Sequence, residues 1–82
     1  MKKEEFLQFV EDKINSYAQR IIDSKDKTDD LALGELTVYM ALRRILKGEE
    51  RRTQDYGMID AFNDSLQKLG VIKEGTFLGL LD

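Results

Sequence analysis

The stretch KKEEFLQFVEDKINSYAQRIIDS, close to the start of the chain, sets Leu7, Val10, Ile14, Tyr17 and Ile21 three and four residues apart. That spacing lays one apolar stripe along an α-helix and does not fit a strand, whose side chains alternate every second residue. Phe6, Ala18 and Ile22 widen the stripe, while Glu5, Gln8, Asp12, Asn15, Gln19 and Asp23 hold the opposite side. Glu4 and Glu5 lie where a helix dipole is positive. The run is shorter than the roughly three to four heptads of a coiled coil, so the stripe is expected to pack inside the domain.

No proline interrupts the chain, and strong helix formers fill most of its remaining length. The expected fold class is all-α, with three main helices, the first two paired as an antiparallel hairpin, and a short C-terminal appendage. KDKTDD reads as the hairpin turn, delivering Thr28 or Asp29 as the N-cap of the second helix. The second helix, LALGELTVYMALRRIL, is apolar around most of its circumference. Leu31, Val38, Leu42 and Ile45 form one side, Leu36, Tyr39 and Leu46 the next, with Met40 and Leu33 nearly opposite. Such a helix belongs at the centre of a bundle or in a subunit interface. Gly34 in its interior, unfavourable for a helix, either lets another helix approach closely or is a harmless weak spot.

A third helix comes after RRTQDYG, with Ile59, Phe62, Leu66 and Leu69 recurring at three and four. Thr53 or Asp55 is the expected cap, and Gly70 the left-handed residue at its end, after which Val71 folds back. The last residues, VIKEGTFLGLLD, are apolar for a chain terminus. They fit a three-residue hairpin, a last helical turn or an irregular strap, and each form needs a surface to lie on. Phe77 and at least one of Leu80 and Leu81 are therefore expected to be buried against the second helix, its own or a partner's. The candidate interface residues are Leu33, Leu36, Met40, Phe77, Leu80 and Leu81.

At 82 residues without repeat or linker, the chain reads as one helical domain spanning 1–82, near the size limit for a core without a staple. Histidine and cysteine are both absent, which removes the usual general base, thiolate nucleophile and commonest metal ligands. The carboxylates are scattered on helix exteriors, so no catalytic set, cofactor or metal is expected and the chain is not read as an enzyme. DSKDKTDD gathers Asp23, Asp26, Asp29 and Asp30 but lacks the glycine and terminal glutamate of a calcium loop, and reads as a capped turn. No window approaches the roughly 18 apolar residues of a membrane span, so a cytoplasmic protein with no membrane partner is expected.

The net charge is −3, yet RRILKGEERR sets Arg43, Arg44, Lys47, Arg51 and Arg52 against Glu49 and Glu50, which makes that segment +3 and the remainder −6. If the helix runs through Gly48, Arg44, Lys47 and Arg51 share an outer face suited to a phosphate backbone. If Gly48 ends it, Arg43, Arg44 and Lys47 are favourable charges near the negative end of the dipole. The second alternative is preferred, because the glutamates interleave with the cations. A DNA-reading helix is not expected after it, since DYGMIDAFND presents Asp55, Asp60 and Asp64 where base-reaching side chains are needed.

With Gly34-Glu35-Leu36 and Tyr39 inside its second helix, the layout of roughly the first 48 residues resembles small helical-hairpin proteins of bacterial phages and mobile elements. That resemblance implies a small accessory factor and assigns no binding residue. The expected function is protein–protein association without catalysis, through a homodimer or another protein. The alternative is a nucleic-acid-associated accessory factor acting through the basic segment 43–52.

Overall fold

The computed structural model describes residues 1–25, 29–49 and 52–81. In chain order it contains α1 (Lys3–Asp23), α2 (Asp30–Lys47), α3 (Thr53–Lys68) and a 3-10 turn, Phe77–Leu80. No strand occurs among the described residues. α1 and α2 pack closely as a hairpin, and α3 lies against α2 over a shorter stretch. α2 is therefore the central helix, one of the two places that its wide apolar arc suits.

Asp29 starts α2: its Oδ1 accepts from the Ala32 amide at 3.0 Å, while Oδ2 accepts from Arg20 Nη2 at 3.0 Å. One carboxylate thus caps the second helix and ties it to the last turn of the first. Thr28, the other expected cap, and Asp26 lie outside the described residues. α2 ends at Gly48, whose φ of 65° is left-handed. There the Gly48 amide donates to the Ile45 carbonyl and the Glu49 amide to that of Arg44. α3 ends the same way around Gly70, with amides of Gly70 and Val71 returning to Gln67 and Leu66. This double return is the Schellman arrangement, which satisfies carbonyls left over at a helix end. Val71 itself is 66% exposed, so its fold-back is held by the backbone bond more than by apolar contact.

The start of α3 differs from expectation. Its cap position is Arg52, which makes no side-chain capping bond, and neither Thr53 nor Asp55 precedes the helix. Asp55 lies in the first turn, facing the interior.

The core is small: Val10 and Ile14 from α1, Leu42 and Leu46 from α2, and Ile59 from α3. Leu7, Leu36, Val38, Tyr39, Met40 and Ile45 pack around it, partly covered. Several apolar positions expected inside are outside. Leu31 is 65% exposed and Ile22 69%, at the turn end of the hairpin, and Phe62 and Leu69 of α3 are exposed as well, so that of the apolar stripe expected on α3 only Ile59 is buried. Of the two readings of Gly34, the geometry fits the weak spot: a methyl group built on it would meet no neighbouring atom within 4 Å, so no other helix approaches there among the described residues.

The molecule is elongated, 43 × 26 × 23 Å, with a radius of gyration of 14.1 Å. A compact domain of this length has a radius of about 12 Å. Its accessible surface is 6135 Å², whereas a compact monomer of its mass exposes about 5,000 Å².

Candidate functional site

The interior face of α3 is built on a spacing of four. Asp55, Ile59 and Asn63 fall on one side of the helix and are all buried. Asp55 is only 4% exposed and meets Arg44 of α2 in a fork. Arg44 Nε donates to Oδ2 at 2.7 Å and Nη2 to Oδ1 at 2.8 Å. A two-point guanidinium–carboxylate pair fixes direction as well as distance, so it sets how α3 crosses the end of α2. The hydrogen bonds and charge of Arg44 outweigh desolvation and hold the Asp55 carboxyl below its ordinary pKa.

This pair decides the fate of the basic segment. Gly48 ends the helix, so Arg44 and Lys47 stand in the last turn of α2. Arg44 points inward to Asp55, not outward as a phosphate contact requires. Lys47 Nζ lies 3.1 Å from the Glu11 carboxylate of α1. Arg43 is half-buried, Arg52 is exposed at the start of α3, and Arg51 lies outside the described residues. Arg44 and Lys47 hold α2 to its two neighbours and complement the negative end of its dipole.

Four residues beyond Ile59, Asn63 reaches the chain's end. Its Oδ1 accepts from the Phe77 amide at 2.9 Å, and its Nδ2 is buried with no hydrogen-bond partner among the described residues. One turn further, Gln67 Nε2 donates to the Gly75 carbonyl at 2.6 Å. The terminal segment is consequently pinned to α3 by two side chains on one helix face, and Phe77–Leu80 forms a 3-10 turn in place of a hairpin. The expected surface for this segment is α2. The polar anchors come from α3 instead, while Phe77, Leu78 and Leu81 pack, half-buried, against the edge of the core. Leu80 is left 69% exposed.

Leu80 forms a ridge between two hollows. One is an apolar groove of about 290 Å³ lined by Met1, Phe6, Phe77, Leu78, Leu80 and Leu81. The other is lined by the 71–76 bend together with Gly79 and Leu80. Met1 and Val71 are themselves 64% and 66% exposed, so the patch gathers apolar surface from both ends of the chain. Of the other expected interface residues, Leu36 and Met40 are absorbed by the chain's own core edge, and Leu33 is 44% exposed on α2.

A second apolar region is covered differently. Phe6, Phe9, Tyr39 and Tyr17 form a ladder across α1 and α2 with ring centroids 6.0–6.1 Å apart. Lys13 stands over both Phe9 and Tyr17, and Arg20 over Tyr17, giving the ladder a cationic cover. A hydrogen bond to Glu35, partial burial and that carboxylate's charge raise the Tyr17 hydroxyl above its ordinary value.

Among the described residues no three acidic side chains form a cluster that would hold a metal ion. No helix among them is long and apolar enough to cross a membrane. The sequence pattern assigns Asp55 only a capping role and passes over Asn63 and Gln67. Their signal is the four-residue spacing through Ile59, which places polar groups on a helix face otherwise read as apolar. No family model, curated protein or solved structure matches the chain.

Proposed function

We propose that the chain works by association, as a small helical interaction protein that pairs with a second copy of itself, and not by catalysis. The observation that carries this reading is the surplus surface. The chain exposes 6135 Å², about 1,100 Å² beyond the expectation for a compact monomer. A specific interface removes about 800 Å² from each partner, so pairing absorbs a surplus of that size. Large apolar side chains stand on that surface, Leu80, Val71, Leu69 and Met1 among the most exposed. The fully enclosed core, by contrast, is only a handful of side chains.

Thermal unfolding at several concentrations tests the proposal. A folded dimer that separates on unfolding melts at a temperature that rises with protein concentration. A clear rise is expected over about a hundredfold range, whereas a constant midpoint contradicts the reading.

A further inference from the structure

We infer that the pairing surface is the C-terminal turn, with Leu80 of each copy seated in the Phe6–Phe77–Leu78 groove of the other. This rests on the self-association reading and names the face it uses. A two-fold interface requires one patch to be its own complement, carrying a projection and a recess side by side. The C-terminal turn does this. Leu80 projects, 69% exposed, from one edge of a groove whose other walls include Phe6, Phe77 and Leu78, so the same side chain borders its own recess and can reach that of a second copy. At about 290 Å³ the groove is just below the roughly 300–1,000 Å³ range for ligand pockets, which suits an inserted side chain.

Three further observations favour this face over the others. Of the most exposed apolar residues, Met1, Val71 and Leu80 gather around the paired hollows, whereas Leu69, Ile22, Leu31 and Leu33 line neither and are spread over the rest of the surface. The aromatic ladder on the hairpin already has Lys13 and Arg20 above it. Finally, the rim of the second hollow carries one charge of each sign, Lys73 and Glu74, so two copies meet there without local net repulsion despite the −3 of each chain. The Asn63 and Gln67 bonds hold the turn in place before a partner arrives, which lowers the ordering cost of association.

Sedimentation equilibrium on the full chain tests this with three variants. Leu80→Lys places a charge in the groove and is expected to weaken pairing about thirtyfold or more, the level of a central anchor residue. Leu80→Ala, which adds no charge, is expected to weaken it in the same direction. Leu31→Lys alters an equally exposed leucine at the far end of the hairpin and is expected to leave the affinity unchanged. Because Leu80 and Leu31 are already exposed, the helical signal should be intact in all three. If the parent chain pairs and both Leu80 variants pair as tightly, this face is wrong while self-association stands. Weakening by Leu31→Lys alone moves the interface to the turn end of the hairpin. A monomeric parent chain overturns both readings.

Discussion

Adding one methyl group to this chain is predicted to stabilise it at Gly34 and destabilise it at Gly48. Gly34 lies inside α2 with ordinary helical geometry, and a methyl group there meets nothing within 4 Å. Glycine in a helix interior is about 1 kcal/mol worse than alanine, chiefly because the unfolded glycine chain has more freedom to lose. With no steric cost against it, Gly34→Ala should add about 0.8 kcal/mol, or about 3–6 °C in a domain of this size. Gly48 is also uncrowded, but its φ is 65°. A side chain in that conformation costs about 1–2 kcal/mol, so Gly48→Ala should lower the midpoint. Urea and thermal unfolding followed by circular dichroism, at one fixed concentration, measure both. A destabilised Gly34→Ala would mean that something approaches that face after all. If the loss were accompanied by a fall in mass, that something would be a second copy, and the C-terminal turn would not be the interface.

The ion pair and the C-terminal turn make two further predictions. Asp55 has a folded pKa below its ordinary 3.8, so its contribution to stability is fully present above that value and is lost as pH falls through the lower folded value. Asp55→Asn should therefore remove part of the acid limb of a urea-midpoint profile, and an unchanged limb would contradict the fork with Arg44. Phe77 is half-buried against the core edge, so Phe77→Ala should cost about 2 kcal/mol by denaturant titration, less than the roughly 3–5 kcal/mol of a fully enclosed ring. No measurable change would mean the turn is not packed.

The helices were legible because the signals that define them are local. The stripe through Val10 and Ile14, the Asp29 cap and the stops at Gly48 and Gly70 each depend on residues within a turn or two of themselves. The site was less legible because its determinants cross between helices. Asp55 reads equally well as a cap or as an exposed acid until α2 brings Arg44 to it. Asn63 looks like an ordinary polar residue beside an apolar stripe until Phe77 arrives from fourteen residues on. Leu31 shows the converse failure, since periodicity assigns it to an apolar side although it stands largely exposed at the turn end of the hairpin. The candidate interface divides along the same line. Leu36 and Met40 fall within reach of the chain's own core, while Leu80 is raised between two hollows by a turn whose form local pattern leaves open among three.

The mass of the chain in solution tests the central claim most directly. The single chain is 9.5 kDa. Sedimentation equilibrium at micromolar concentration should give about twice that mass, returning toward the single-chain value on dilution as a reversible pair requires. A constant 9.5 kDa at every concentration would contradict self-association.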